Sequence, residues 1–280
     1  MMRRFILKII LRVFLLSALA CLLFFLGNRF QLSAEERGES HEQEVKGATM
    51  YRDIHPLISD SDLYCSFFIF EGKKKQLDTK IVGTEAGGER VMLREEDIFY
   101  INKGKENGLE PGQLFLILEL GPKMRSPFSR KKFGFLTFKR GKAEIVAVGN
   151  NRSSARLSKA CGLVKIGDYL VPFEEKTGLL GKDLGYADFS FEGEAAGGVI
   201  VYLQNESNQI ATGQWAIIDI GKEEGLQFGQ QLIAYKVSRE AISPKIVGSL
   251  IVIDVQNKTS TIKVLSCNDG LRIGDRVRTR

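Results

Sequence analysis

The stretch IFYINKGKENGLEPGQLFLIL, from Ile98 to Leu118, decides the fold because it returns 117 positions later. The second occurrence is AIIDIGKEEGLQFGQQLIA, from Ala216 to Ala234. Seven residues in a ten-residue window are identical, and the pairs are Gly104 and Gly221, Lys105 and Lys222, Glu106 and Glu223, Gly108 and Gly225, Leu109 and Leu226, Gly112 and Gly229, Gln113 and Gln230. A match of this strength at a fixed offset indicates a duplicated structural unit.

The duplicated stretch predicts a strand, a compact loop and a second strand. Apolar residues precede Asn102 and follow Gln113, as expected for two strands separated by a polar loop. Pro111 and Gly112 suit the central pair of a type II turn, because proline presets φ and glycine accepts positive φ. Leu109 and its partner Leu226 are expected to anchor the loop on the core. The glycines therefore have a structural role.

The duplication continues downstream with a shorter offset. Lys142 to Leu157 matches Ser249 to Val264 at an offset of 107, and Gly167 and Asp168 fall on Gly274 and Asp275. The first copy therefore carries ten extra residues between the two matching blocks, within residues 119–140. Insertions in repeats usually lie in surface loops.

The predicted fold class is all-β, with two tandem small β-barrel-like repeats after an N-terminal signal or anchor segment. Each copy is long enough for five or six strands, a size that suits one small β domain. The predicted organisation is a signal peptide or membrane anchor at 1–34, a polar spacer and lead-in at 35–63, a first repeat at 64–173, a linker at 174–190 and a second repeat at 191–280.

The N-terminus reads as a targeting segment. Basic residues precede Val13 to Leu26, a run of apolar or small residues without charge. The run is shorter than the roughly 20 residues of a spanning helix, so we favour cleavage over retention as an anchor. Either outcome places the folded part in the periplasm, and retention would add the inner membrane as a partner.

The net charge does not point to nucleic acid. The formal charge is +6, but five basic residues and no acidic residue lie in the first 30 positions, so the remainder carries 35 basic and 34 acidic residues. The basic balance is thus mostly a property of the targeting segment.

Three cysteines follow the targeting segment, namely Cys65, Cys161 and Cys267. One disulfide between Cys65 and Cys161 with one free thiol is one interpretation, and buried unpaired cysteines in a β core are the other. Their wide spacing without nearby histidine does not suggest a metal site.

The insertion region supplies the candidate binding surface. Lys123 to Lys142 contains eight basic residues and four phenylalanines. The candidate binding residues are Arg125, Phe128, Arg130, Lys131, Lys132, Lys139 and Arg140. Such a surface could hold an anionic polymer or an acidic protein by ion pairing and ring stacking. The favoured alternative is a long hairpin whose phenylalanines face a core while the basic residues point outward.

The sequence does not favour an enzyme, and it predicts no cofactor and no metal. The only histidines, His41 and His55, lie before the repeats, so a nucleophile paired with histidine inside a barrel is not available. No glycine-rich phosphate loop is present. Asp168 and Asp275 each follow a glycine, where aspartate caps its own backbone. A glycan-active enzyme with two carboxylates is retained as an alternative function.

Three segments together resemble known envelope proteins: YINKGKENGLEPGQLFLIL, GKAEIVAVGNNRSSARL and GDYLVP, which begin at Tyr100, Gly141 and Gly167. They resemble the β-rich repeats that accompany LysM modules in Gram-negative envelope proteins, and the C-terminal domain of the flagellar assembly protein T family. The resemblance covers about 81–280 and implies a fold, an envelope location and a binding or scaffolding role, with no catalytic residues. No LysM-like motif is visible.

The sequence therefore predicts a noncatalytic scaffold or binding protein of the bacterial cell envelope, linked to flagellar or peptidoglycan-associated structures. Envelope proteins or an anionic envelope polymer are the expected partners, and nucleic acid is not. A ligand-free structural spacer is a further alternative.

Overall fold

A computed structural model of the chain describes residues 55–85, 92–173, 175–187, 189–191, 193–237 and 243–280. The predicted signal or anchor segment and residues 35–54 of the predicted spacer lie outside these ranges, as does His41. The described residues belong to one compact unit. Within them, no helix has the length and apolar character needed to cross a membrane.

The first half of the described chain is built from strands and one short helix. In chain order these are β1 (His55–Ile58), α1 (Asp60–Tyr64), β2 (Phe67–Phe70), β3 (Ile81–Thr84), β4 (Met92–Leu93), β5 (Ile98–Ile101), β6 (Leu114–Arg125), β7 (Lys132–Val148), β8 (Ser153–Ala160), β9 (Val164–Lys165) and β10 (Tyr169–Pro172). A 3₁₀ turn, Lys105–Asn107, lies within the repeated loop.

The strands of the second half are β11 (Leu179–Gly181), β12 (Gly197–Leu203), β13 (Trp215–Ile218), β14 (Gln231–Lys236), β15 (Lys245–Val255), β16 (Ser260–Cys267) and β17 (Arg276–Thr279). Of these, β12 to β17 follow the order of β3, β5, β6, β7, β8 and β10, and β11 precedes them. The matching 3₁₀ turn is Lys222–Glu224. The all-β fold class that the sequence predicts is therefore confirmed.

The two copies share one topology. The second copy is a closed six-stranded barrel in the order β12-β13-β16-β15-β14-β17. The first copy has the matching order β3-β5-β8-β7-β6-β10. Its two end strands meet where the Ile81 amide donates to the Asp168 carbonyl at 2.9 Å and the Leu170 amide donates to the Thr79 carbonyl at 3.0 Å. We call the two units the first and second barrels.

Each barrel has its own apolar interior, and the interior positions match between copies. Phe99 and Ile101 in the first barrel correspond to Ala216 and Ile218 in the second, and all four side chains are fully buried. Leu226 is buried in the second interior and Leu109 packs against the first, as the repeated loop predicts. Positions that match in the two sequence copies thus occupy matching places in the two barrel interiors.

The repeated loop docks on the following hairpin through backbone hydrogen bonds in both copies. In the first copy, the Lys105 amide donates to the Gly149 carbonyl at 2.9 Å, and a β-carbon on Gly104 would lie 2.2 Å from the Asn150 carbonyl oxygen. In the second copy, Lys222 donates to the Gln256 carbonyl, also at 2.9 Å. The loop can approach this closely only because a glycine precedes it.

The predicted type II turn forms in both copies. The Gln113 amide donates to the Glu110 carbonyl at 3.4 Å, and Gly112 has a φ of +84°. The other turn glycines adopt matching positive φ angles, which are 76° and 83° for Gly108 and Gly225, 78° for Gly229, and 97° and 99° for Gly167 and Gly274.

The lead-in and linker segments pair with each other. β1, from the predicted lead-in, forms an antiparallel ladder with β11, which lies in the predicted linker at 174–190. A disulfide joins Cys65, at the end of α1, to Cys161 in the first barrel, and Cys267 is a half-exposed free thiol. Of the two interpretations of the cysteines, the structure shows the disulfide. The cross-link closes a loop over 96 positions and thereby ties the lead-in to the first barrel.

Replacing Gly104 with alanine is expected to lower the free energy of unfolding by about 2 kcal/mol or more, because the new methyl group meets a backbone carbonyl that cannot move freely. Gly197→Ala is the matched control, since its β-carbon would lie 3.6 Å from the nearest atom. The control is expected to change stability by less than about 1 kcal/mol. Urea unfolding of both variants measures the difference, and equal stability would contradict the docking role of the loop.

Candidate functional site

The insertion in the first copy lengthens the hairpin formed by β6 and β7. β6 has 12 residues where β14 has 6, and β7 has 17 where β15 has 11. β2 pairs along β7, with Phe67 opposite Phe138 and Phe70 opposite Phe135. The hairpin and β2 therefore extend the first barrel beyond its closed part.

One face of this extension packs on the outside of the second barrel. Phe133 and Leu136 are buried there. The cluster consists of Phe67, Ile69, Phe133 and Leu136 from the first copy and Val201, Tyr202 and Ile217 from the second. The Phe67 ring meets the Tyr202 ring edge-on at 5.2 Å between centroids. The phenylalanines thus face an apolar core, and that core lies between the barrels rather than inside one.

Lys139 is not part of an exposed basic surface, which corrects its place among the predicted binding residues. Its side chain is 6% exposed, and its Nζ lies 2.7 Å from Asp254 Oδ2 in the second barrel. The same ammonium donates to the Leu63 carbonyl at 2.8 Å and to Ser66 Oγ at 3.3 Å. Its positive charge is therefore neutralised by an ion pair between the barrels and is not available to a ligand.

Arg140 is also engaged within the molecule. Its guanidinium forms an ion pair with Glu119 and lies over the Phe138 ring at 4.8 Å from the centroid. Lys165 joins the same carboxylate at 2.6 Å. Burial alone would raise the pKa of Glu119, but the hydrogen bonds from Lys165 and Arg140 outweigh burial and hold that pKa below its usual value. Arg140 therefore stabilises the base of the hairpin.

The tip of the hairpin carries the remaining predicted residues. Arg125, Arg130 and Lys132 are exposed, and Phe128 is 56% exposed. Lys131 is half-buried, and its ammonium donates to the Asp219 carbonyl at 3.2 Å. The sequence from 121 to 142 contains no aspartate or glutamate. We call these five residues the basic tip.

The basic tip reaches the second barrel through Phe128. The Phe128 ring lies against Gly274, where a β-carbon would be 3.2 Å from Cζ. The neighbouring Ile273 is 47% exposed. The tip therefore combines cationic side chains with exposed apolar groups at the junction of the two barrels.

A cleft of about 1170 Å³ opens between the barrels on the side of the repeated loops. Buried side chains contribute to its wall, among them Leu63, Leu116 and Ile253. Residues of both repeated loops line it, with Leu109 on one side and Leu226 on the other. A concave site lined by apolar groups and a few polar ones is the usual form of a binding site.

The cleft contains one carboxylate among its lining residues, that of Asp254, and this group is paired with Lys139. Hydrolysis of a glycoside with two carboxylates needs a second acid about 5–10 Å away across the scissile bond. The described lining of the cleft does not assemble such a pair.

Asp62 connects α1 to the second barrel, a structural role that the sequence does not predict. Its Oδ1 accepts from Trp215 Nε1 at 2.8 Å, and its Oδ2 lies 2.7 Å from Lys263 Nζ. Ser59 also donates to it, from the backbone at 2.8 Å and from the hydroxyl at 2.7 Å. Burial would raise the pKa of Asp62, but the bonds from Lys263, Ser59 and Trp215 together lower it. α1 is thereby fixed to the second barrel.

The matched aspartates of the two copies lie in turns, where the sequence places them. Asp168 Oδ2 accepts from the Lys165 amide at 2.9 Å, and Asp275 Oδ2 accepts from the Arg272 amide at 2.8 Å. Burial raises the pKa of Asp168 to about 6, and it also raises the pKa of Asp275. Each carboxylate thus closes a turn, and burial of its ionised form lowers the stability of the folded protein at neutral pH.

In the described part of the chain, no three His, Cys, Asp or Glu side chains come together in a group that could hold a metal ion. His55 lies exposed on β1. No known protein family matches this sequence, and a search of curated proteins finds no similar chain.

Lys139→Met is expected to lower the free energy of unfolding by about 2–4 kcal/mol, because it leaves Asp254 partly buried without its cation. Lys132→Met at the exposed tip is the matched control and should change stability by less than about 0.5 kcal/mol. The double variant Lys139→Met/Asp254→Leu should recover most of the loss. Urea unfolding provides the values, and a Lys139→Met protein as stable as its control would refute this role.

Asp168→Asn is expected to stabilise the protein at pH 7.5 by up to about 3 kcal/mol, since a folded pKa of about 6 lies above the unfolded value of 3.8. The ionised carboxylate costs stability at neutral pH, and this cost is relieved as the pH falls from about 7 to about 4. The variant should lose that pH dependence.

Asp275→Asn is the matched variant from the second copy. A smaller change of the same sign is expected, because the Asp275 side chain is 13% exposed and has Lys236 Nζ at 3.9 Å. Unfolding by urea at several pH values between 4 and 8 measures both, and an Asp168→Asn protein with unchanged pH dependence would contradict the assignment.

Proposed function

We propose that this protein is a noncatalytic scaffold of the bacterial cell envelope, which binds an anionic envelope component through the basic tip. The observation that carries the proposal is the exposure of Arg125, Arg130 and Lys132 beside Phe128, on a hairpin whose base is fixed between two barrels. A rigid base presents the cationic groups in a fixed arrangement, which reduces the entropy lost on binding.

The difference between the cations at the base of the hairpin and those at its tip supports this proposal. Lys139 and Arg140, near its base, pair with Asp254 and Glu119, whereas the tip carries cations and no acidic residue. Arginine and phenylalanine side chains side by side suit contact with carboxylates, phosphates or an acidic protein surface.

The disulfide between Cys65 and Cys161 supports a location outside the cytoplasm. Disulfides form and persist in oxidising compartments such as the periplasm and are rare in the cytosol. This agrees with the expectation of a signal or anchor segment at 1–34. The flagellar or peptidoglycan-associated setting implied by the sequence resemblance is part of the same proposal.

The alternatives have less support. The inter-barrel cleft lacks the carboxylate pair that the glycan-active enzyme requires among its described residues. A ligand-free spacer needs neither a cleft nor an exposed cluster of cations with Phe128, and the chain has both.

Reversing two charges at the tip, by Arg130→Glu with Lys132→Glu, is expected to reduce recovery of the bound component at least about tenfold. The measurement is crosslinking in the native envelope, affinity capture and mass spectrometry of what is recovered. The tip residues are exposed, so the variant should fold normally.

Lys74→Glu with Lys75→Glu is the matched control, because it changes the charge by the same amount at two other exposed lysines. Its capture should equal that of the wild type. Equal capture by the tip variant and the control would reject the basic tip as the contact surface. The same spectra report the N-terminal residue and the oxidation state of Cys65, and a reduced Cys65 with a cytoplasmic fraction would reject the envelope location.

A further inference from the structure

The cleft between the barrels has the features of a second binding site, separate from the basic tip. Its lining includes Asn107 to Leu109 from the repeated loop of the first copy and residues 226–228 from the repeated loop of the second, and among these Leu109 and Leu226 are equivalent positions. A volume of about 1170 Å³ would hold several amino-acid residues. The duplication therefore places two related loops around one concavity.

The wall of the second copy presents an exposed aromatic ring to the cleft. Phe228 is 46% exposed and occupies the position that Pro111 has in the first copy. A large apolar side chain left open in a concave site gains most from being covered, and such residues often dominate binding energy. The two loops thus differ at the position where the cleft gains an apolar contact.

Amide side chains provide hydrogen-bonding groups along the same walls. Gln113 and Gln227 line the cleft, and their side chains have no hydrogen-bond partner among the described residues. Both groups can donate and accept, which is what an extended peptide backbone requires of its surroundings. An acyl chain would leave these amides without partners when it covered them, which costs free energy.

The charge that remains uncompensated in the cleft is positive. Lys176 and Lys222 are exposed members of the lining and have no ion pair within the described residues. Asp254 is neutralised by Lys139 at 2.7 Å. A ligand that carries a carboxylate would therefore be favoured over a basic one.

We infer that the inter-barrel cleft binds an extended peptide segment of a partner protein, one that carries apolar side chains and an acidic group. The apolar side chains cover Phe228 and the buried floor, the peptide backbone bonds to Gln113 and Gln227, and the acidic group pairs with Lys176 and Lys222. The site uses no residue of the basic tip, so the two proposals stand or fall separately.

The test is selection of random 12-residue peptides displayed on phage against the purified protein, followed by fluorescence anisotropy with the selected peptides. Selected sequences are expected to combine at least one Asp or Glu with two or more large apolar residues. Phe228→Ala, and separately Lys176→Glu with Lys222→Glu, should each weaken binding at least about tenfold. The charge-reversed protein should select basic peptides instead.

Two matched controls separate a cleft effect from a general one. Lys105→Glu alters the copy-related equivalent of Lys222, and Phe128→Ala removes an exposed phenylalanine at the basic tip, and neither residue lines the cleft. Both controls, and the tip variant with Arg130→Glu and Lys132→Glu, should bind the selected peptides as the wild type does.

Three outcomes would overturn the inference. They are a selection that enriches no peptide, peptide binding that survives both the Phe228 and the lysine variants, and native mass spectrometry that finds a lipid in the wild type and none in Phe228→Ala. Loss of partner capture by the tip variant with peptide binding intact would support both sites.

Discussion

The apolar outer surface of the second barrel is the constraint on which the rest of the structure depends. A closed barrel normally buries one set of alternating side chains and leaves the other set to water. Here Ile217, Ile251 and Ile253 point away from the barrel interior and are nevertheless at most 2% exposed. They are covered by the extended hairpin and by the lead-in segment. The second barrel therefore requires the first copy and the lead-in beside it, and the cleft and the basic tip take their positions from that requirement.

Polar groups fix the register of this apolar contact. The hydrophobic effect is non-directional, whereas a buried carboxylate that accepts from Lys263 and Trp215 keeps its partners in only one arrangement. Asp62 supplies that carboxylate from α1, and the pair of Lys139 with Asp254 acts in the same way from the hairpin. Buried ion pairs contribute little net stability compared with apolar replacements, but removing one partner is costly. We infer that their contribution here is to select one arrangement of the barrels.

The sequence predicts the parts of this fold that repeat and misses the parts that do not. The two copies, the docking loops and the turns at Asp168 and Asp275 follow from spacing and glycine positions, because local backbone geometry determines them. The interface does not, since alternating phenylalanines show that one face of the hairpin is buried without showing what buries it. The sequence places Lys139 among the surface cations for that reason. Asp62 resembles an ordinary capping residue in sequence, and the cleft depends on the relative placement of two copies, which no local pattern contains.

The short hairpin of the second copy affects which outer-surface positions of each barrel can tolerate substitution. Among the described residues, β14 and β15 lack the extension that β6 and β7 carry, so this part of the second copy offers no equivalent cover for a neighbouring barrel. The corresponding outer face of the first barrel has no cover among the described residues, and Val82, Tyr100 and Val146 are 36–40% exposed there. A polar residue at Tyr100 or Val146 would stay in contact with water, whereas one at the equivalent Ile217 or Ile253 would be buried and costly. The two halves are thus expected to drift at different rates, with the interior and loop residues keeping a common pattern while the outer faces diverge.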